Sequence, residues 1–237
     1  MSSTPYVPEV HCQQLAELSS LYGAVEAVSA GYDFGRHPYF LWASRPETDR
    51  EAFRASQVPF RFAVEGWAQA LSAVLARTPR SELRRGLVRN IADEHGDSIE
   101  QSHEASFERY LRALGAADAE LRRPCPIAVR AFQQATTNFC LVHPYEAGAA
   151  ALGIIEHLYI GISADIARRV VDRGWAAPGA QDHYAVHEEL DVHHARELLD
   201  LARPAWTDAR GRDDVALGLS IGAHHFWQLY CDLLPAR

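Results

Sequence analysis

Apolar residues recur along this chain at intervals of three and four, and almost nowhere at intervals of two. "CQQLAELSSLYGAVEAVSA" is one such stretch. "REAFRASQVPFRFAVEGWAQALSAVLAR" is a second, in which Pro59 lacks an amide hydrogen and predicts a kink or break. "SELRRGLVRNIADEHG" opens on Ser81, the expected N-cap, and stops at Gly96, the expected residue just past the C-terminus. "SIEQSHEASFERYLRALG" ends likewise at Gly115. "PIAVRAFQQATTNFCLV", "PYEAGAAALGIIEHLYIGISADIARRVVDRG", "AQDHYAVHEELDVHHARELLDLAR" and "DDVALGLSIGAHHFWQLYCDLL" complete the series. There is no clear alternating β-branched run to suggest strands. Seven or eight helices joined by short loops, without repeat or linker, predict an all-α bundle forming one domain over residues 1–237.

Several of these helices carry ionisable groups on apolar faces. On the helix through "HYAVHEELDVHHAREL", take His187 as reference. At about 100° per residue, Asp191 falls about 40° to one side and His194 about 20° to the other. His183 lies about 40° round, on the side of His194, and His193 points nearly opposite. Leu198 and Leu201 prolong the stripe, so it faces inward, where ionisable groups are costly unless paired or bound to metal. Taken alone, the stripe is equally a buried polar network in which Asp191 orients neutral histidines.

Other helices shift that balance. Glu156 lies in "AGAAALGIIEHLYIGIS", almost wholly apolar, on a face with Leu152, Tyr159, Ile160 and Ser163. Glu65 interrupts the apolar "FRFAVEGWAQALSAV", with Phe62 and Ala68 on its face. In "NIADEHGDSIEQSHEASF", Glu94 ends one helix and His103 begins the next, facing inward with Phe107, Tyr110 and Leu114. Glu100, three residues before His103, is the alternative to Glu94. The set is Glu65, Glu94, Glu156 and Asp191 with His103, His187 and His194. A single zinc takes about four ligands, whereas two carboxylate-bridged ions take about six or seven. A carboxylate-rich set with histidines suits two redox-active iron ions, with manganese the alternative.

Composition narrows the chemistry further. The formal net charge is -8 and no basic patch is visible, so nucleic acid is not an expected partner. All 23 basic residues are arginine, which excludes lysine Schiff-base chemistry. Cys12, Cys125, Cys140 and Cys231 are too dispersed for a disulfide framework or a thiolate zinc site. No apolar run approaches the roughly 18 residues that span a bilayer, and "MSSTPYVPEVHCQQ" has no secretory core. The expectation is a soluble, cytoplasmic protein without a membrane partner.

This arrangement resembles the haem-oxygenase-like dimetal (di-iron) oxidases, which share a seven-helix fold with haem oxygenase, the thiaminase-like proteins and pyrroloquinoline quinone synthase. The resemblance spans roughly residues 35 to 230. "NIADEHG" is similar to the family's turn with a glutamate before the glycine, which selects Glu94 over Glu100, and "HEELDVHHARE" to its last motif. The resemblance implies a haem-oxygenase-like bundle and an Fe(II) pair reacting with dioxygen, held by Glu65, Glu94, His103, Glu156, His187, Asp191 and His194. His183 has no role assigned by it. The implied substrate is a small amine, amino acid or carboxylic acid, with an electron donor where the reaction calls for one. N-oxygenation, oxidative cleavage and decarboxylation are the implied reaction types, in biosynthesis of a specialised metabolite. Homodimers are common in the fold. One branch makes p-aminobenzoate from its own tyrosine and lysine. Here Phe40 stands in that tyrosine's place, beside Tyr39, and no lysine exists.

Two other readings carry weight. "D191-x-x-H194" and "E100-x-x-H103" also resemble the paired motifs of ferritin-like metal-binding proteins. A metal-free thiaminase-like protein would need a cysteine nucleophile. Cys140 lies about 24 Å from Glu156 if one helix joins them, at ~1.5 Å per residue. A substrate pocket is expected beside the metals, with Phe62, Tyr159 and Tyr184 as candidate lining.

Overall fold

The structure, a computed structural model, describes residues 6–180 and 182–235, with the side chains of residues 182 and 185–189 outside the description. The described residues contain eight helices of eleven residues or more and no strand. They are α1 (Leu21–Gly31), α2 (Arg61–Arg77), α3 (Ser81–His95), α4 (His103–Ala113), α5 (Ile127–Val142), α6 (Tyr145–Asp172), α7 (Asp182–Ala202) and α8 (Ala209–Leu233). Shorter helices cover Cys12–Ala16, Pro38–Ala43, Arg50–Gln57 and Asp118–Leu121. The expected all-α bundle of seven or eight helices is therefore the observed architecture.

Pro59 does break its stretch: a 3₁₀ turn over Val58–Phe60 separates Arg50–Gln57 from α2. Gly96 ends α3 with φ +62°, where a Cβ would lie 2.7 Å from the Gln101 backbone carbon, so glycine is required on two counts. The other expected cap differs. Arg80 occupies the N-cap of α3, Ser81 is its first helical residue, and no side chain caps the end.

Helix α6 is the central helix of the bundle, packed most extensively against α7 and α8 and also against α5 and α2. Small residues permit the close approach. At Gly222 of α8 a Cβ would lie 2.2 Å from the Ala151 carbonyl oxygen of α6, so the two backbones nearly touch. By length and composition α6 could cross a membrane, contrary to the expectation that no run approaches that length. However, 72% of its most apolar stretch is buried inside the protein, as in a core helix.

The apolar interior forms two main clusters that divide at the middle of α6. Leu152 and Ile154 belong to one, with Leu198 and Leu199 of α7 and Val215 and Leu219 of α8. Ile155 and Tyr159 belong to the other, which is rich in aromatics. Glu156 thus sits at the seam between them.

The aromatic cluster holds five buried tyrosines: Tyr39, Tyr110, Tyr159, Tyr184 and Tyr230. Buried hydroxyls need partners, and the fully buried Gln57 supplies several. Its Nε2 donates to Tyr39 Oη at 2.7 Å, and its Oε1 accepts from Tyr184 at 2.8 Å and Tyr110 at 3.5 Å. Gln57→Leu leaves these hydroxyls short of partners and is expected to cost roughly 1–3 kcal/mol, read as a lower urea midpoint at unchanged slope. An unshifted midpoint would refute the organising role of Gln57.

Candidate metal centre

Five of the seven predicted ligands converge at the seam. Glu94, in the last turn of α3, is 6% exposed, and His103, the first residue of α4, is 5% exposed. The reversal after Gly96 turns the two helices together, and His103 Nδ1 donates to Glu94 Oε2 at 2.9 Å. Glu156 arrives from α6, and Asp191 and His194 from the inner face of α7. Glu94, Glu156 and His194 offer ligand atoms that all lie within 4.8 Å of one another. Asp191, fully buried, shares a hydrogen bond with Glu156.

The other two predicted ligands stand differently. Glu65 lies on the flank of α2 with its side chain 37% exposed, ion-paired at 2.9 Å to Arg61 one turn earlier. It is not in the Glu94–Glu156–His194 group. The side chain of His187 lies outside the described residues. Glu100, the alternative to Glu94, is exposed in the turn Ile99–Gln101, away from the group. His193 is exposed, as its helical phase predicts. His183 is buried beside His103, with ring centroids 6.0 Å apart, and its Nδ1 lies 2.8 Å from Ser106 Oγ.

Three supporting groups carried no signal in the sequence, because each meets its partner only through tertiary packing. Trp67 Nε1 donates to Glu156 Oε1 at 2.7 Å. Asp93, half-exposed on α3, accepts from His194 Nε2 at 3.1 Å. Ser106 holds His183.

These contacts fit a metal. With Nε2–H pointed at Asp93, the Nδ1 lone pair of His194 is turned inward, buried and without a hydrogen-bond partner. Glu94 Oε1 is likewise buried and unpartnered. An orphaned imidazole nitrogen and an orphaned carboxylate oxygen beside a second buried carboxylate are costly without a cation. A carboxylate behind a metal-binding histidine fixes its tautomer and strengthens the ligand, which is the Asp93–His194 arrangement.

Without a cation, Glu156 and Asp191 hold their protons more tightly than ordinary carboxyls. Burial, reinforced by Asp191, pushes Glu156 well above the usual carboxylate range. Burial, reinforced by Glu94, raises Asp191 to about 8. Burial lowers the affinity of His103 for its proton, but the hydrogen bond and charge of Glu94 outweigh it, and the net shift is upward. A divalent ion would displace these protons.

A small cavity of about 50 Å³ adjoins the group. Glu94, Glu156 and His183 contribute its ionisable lining, and the walls are apolar, from Phe60, Ala63, Phe132, Ile155, Phe226 and Leu229. Tyr159 lines it as expected, whereas Tyr184 is taken up by Gln57 and Phe62 lies under the Arg61 guanidinium, 3.8 Å from its ring centre. On the other side of His103 and His183 an open polar cleft holds Asp93, Asp97 and Arg109.

Cys140 offers no nucleophile here. It lies on α5, a helix separate from that of Glu156, and packs in the apolar core. Burial pushes its thiol up to about 12.

Residues 58–227 match the family described as iron-containing redox enzymes. The chain is 27% identical over 163 residues to 4-aminobenzoate synthase of Chlamydia muridarum, covering 68% of each chain. The same identity over the same length relates it to 4-aminobenzoate synthase of Chlamydia trachomatis, covering 68% of this chain and 70% of the relative. Among solved structures it is similar to a CADD-like protein of unknown function from Nostoc punctiforme. The TM-score there is 0.71 at 14% identity, over 94% of this chain and 99% of the other. A TenA homologue from Pseudomonas syringae gives a TM-score of 0.67 at 12% identity, over 97% and 99% of the two chains. These two likenesses concern the fold.

Proposed function

The chain belongs to the iron-containing redox enzyme family, and on that premise we propose that it is a di-iron, O2-activating oxidase or oxygenase acting on a small amine, amino-acid or carboxylic-acid metabolite. The observation that carries this reading is the buried Glu94–Glu156–His194 group, with Asp191 and His103 bonded to it and two of its ligand atoms orphaned. Glu94, His103, Glu156, Asp191 and His194 would hold the pair of irons, His187 would complete it, and Glu65 would join if it exchanged Arg61 for the metal.

A bound iron pair supplies the electrons that reduce dioxygen and the oxidising power applied to substrate. The chain's own residues do the rest. Asp93 keeps the His194 lone pair directed inward, and Trp67 holds one Glu156 oxygen so that the other is aimed. The apolar walls exclude water from the reacting end of the substrate. His183, between the cavity and the polar cleft, separates substrate from solvent.

Biosynthesis of a specialised metabolite suits the relatives, which are named 4-aminobenzoate synthases. The absence of lysine from this chain argues against that product made from the protein's own tyrosine and lysine. A ferritin-like store, which needs no organic substrate, leaves the adjoining apolar cavity without a purpose.

Anaerobic titration is expected to load two Fe(II) per chain, with O2 consumption that accelerates when substrate is added. Zero or one Fe(II) per chain would sink the dinuclear reading. Iron oxidation indifferent to every organic addition would favour a store.

A further inference from the structure

The buried tyrosines of the aromatic cluster begin beside the metal group. Tyr159 stands one helical turn beyond Glu156 on α6 and lines the same cavity. Its hydroxyl shares a hydrogen bond with that of Tyr184. From Tyr184 a line of hydrogen bonds runs on into the cluster, and its far end fixes its direction. Ser56 Oγ donates to the Phe53 carbonyl oxygen at 2.7 Å, which spends its one hydrogen. Tyr39 therefore donates to Ser56 Oγ at 2.8 Å, and its own oxygen accepts from Gln57 Nε2 at 2.7 Å. The amide is thereby oriented with Oε1 toward Tyr184 and Tyr110, which donate to it at 2.8 and 3.5 Å. Tyr184, its hydrogen given to Gln57, accepts from Tyr159.

Every acceptor along this line is neutral and barely basic: a phenol oxygen, an amide oxygen, a serine hydroxyl and a backbone carbonyl. The bases that border the cluster are turned to other partners. His183 packs edge-on to the Tyr184 ring, but its Nδ1 lies 2.8 Å from Ser106 Oγ. Both nitrogens of His37, beside Tyr230, are held by backbone groups of Trp227 and Tyr39. The Tyr230 hydroxyl is buried with no hydrogen-bond partner among the described residues. Burial pushes the Tyr39 phenol up to about 12 and raises those of Tyr110 and Tyr184 well above the ordinary value. A phenol gives up an electron readily only when its proton leaves with it to a base. Without one, the oxidised ring keeps a positive charge in an apolar interior, which is costly. A glutamate or a histidine at position 57 would bond the same hydroxyls and also take a proton, whereas a glutamine bonds them and does not.

We infer that Gln57 keeps the buried tyrosines reduced. It satisfies their hydroxyls while denying a departing phenol proton an acceptor, so oxidising equivalents raised at the metal group go to substrate and not into the protein. This rests on the reading of that group as an iron pair that reacts with dioxygen. The step that Gln57 blocks is a one-electron oxidation. In it a tyrosine O–H bond breaks and the electron passes to the iron pair, which has given its own electrons to dioxygen. The proton passes to a base, and a phenoxyl radical remains.

The test places a base at the centre of the cluster. Gln57→His and Gln57→Glu each do so, whereas Gln57→Leu removes the amide and adds none; circular dichroism checks that each variant keeps the helical spectrum. The metal-free proteins are oxidised by photogenerated tris(bipyridyl)ruthenium(III), and the modified residues are mapped by mass spectrometry. Modification of Tyr39 and Tyr184 is expected to rise at least about tenfold in a base-bearing variant, the rate worth of a hydrogen bond with one charged partner. It should stay at the parent's level in Gln57→Leu. Tyr22, exposed at the surface, is the internal reference and should not change. With Fe(II) and O2 but no substrate, the same base-bearing variant should show the electron paramagnetic resonance signal of a phenoxyl radical, and the parent none. Tyr39 and Tyr184 modified equally in the parent and in both base-bearing variants, or equally raised in Gln57→Leu, overturns the role of Gln57 and leaves the metal reading standing. Failure of the parent to load iron overturns it through its premise.

Discussion

Glu156→Gln is expected to lower Fe(II) affinity by more than about 100-fold while leaving the helical circular-dichroism spectrum unchanged. The substitution preserves shape and keeps an acceptor for Trp67 Nε1, which lies 2.7 Å from Glu156 Oε1. It removes only the negative charge at the centre of the Glu94–Glu156–His194 group. Outer residues that merely orient metal ligands cost about 10–100-fold in metal affinity when removed, and a ligand must cost more. Trp67→Phe, which removes such an outer contact, therefore sets the scale at about 10–100-fold. The order of the two losses is the informative result. Glu156→Gln retaining two Fe(II) at unaltered affinity would contradict the assignment of Glu156 as a ligand, whatever Trp67→Phe does.

The second large effect is an inverted pH dependence. In the chelator-treated protein, thermal stability is expected to fall as pH rises from 6.5 to 8. Asp191, raised by burial and by Glu94 to about 8, binds a proton in the folded chain that the unfolded chain has already released. Glu156 and His103 are also shifted upward and act in the same direction. A group with a raised folded-state pKa contributes stability that is full below its unfolded value and lost as pH climbs through the folded one.

Buried histidines oppose this mainly at lower pH. His37, lowered by burial to about 4, donates through Nε2 to the Trp227 carbonyl oxygen at 3.0 Å, and its Nδ1 accepts from the Tyr39 amide. Its contribution grows through the unfolded value of about 6.5 and is nearly complete by about pH 7.5, where an unfolded histidine is about nine-tenths neutral. The same holds for His157 and His225, both shifted downward by burial. Across the window 6.5–8 the raised Asp191 and Glu156 together outweigh the part of the histidine contribution that is still growing, for a net release of about one proton. One proton per chain gives about 1.4 kcal/mol per pH unit, or about 2 kcal/mol across the window. For a chain of this size that is roughly 4–8 °C in Tm. Loading Fe(II) without air should reverse the sign, because the metal occupies the sites the protons held and binds more tightly as they leave. Metal-free stability that rises between pH 6.5 and 8 would contradict the shared protonation of Asp191 and Glu156.

Much of this centre was legible in the order of the residues. Helical phase alone separates Asp191 and His194, buried, from His193, exposed between them. The apolar run around Glu156 marks its burial, and the helix–glycine–helix pattern from Glu94 through Gly96 to His103 sets those two side chains beside each other. These are consequences of a 3.6-residue period and of short-range backbone geometry, which the chain carries locally. The same local rules misjudged the start of α3, where Arg80 takes the place expected for Ser81.

What only the packed molecule decided is how each polar side chain spends its hydrogen bonds. Glu65 has the same kind of apolar surroundings in the sequence as Glu156, yet Arg61 reaches it within one helical turn and takes it to the surface. Glu156 is one of a buried group because α3, α6 and α7 meet there. Asp93, Trp67 and the largely apolar cavity walls are visible only once those helices are in place. The period of a helix fixes which face turns inward, but the partner met on that face comes from residues about 30 to 100 positions away, and partner, burial and charge together decide what a carboxylate can hold.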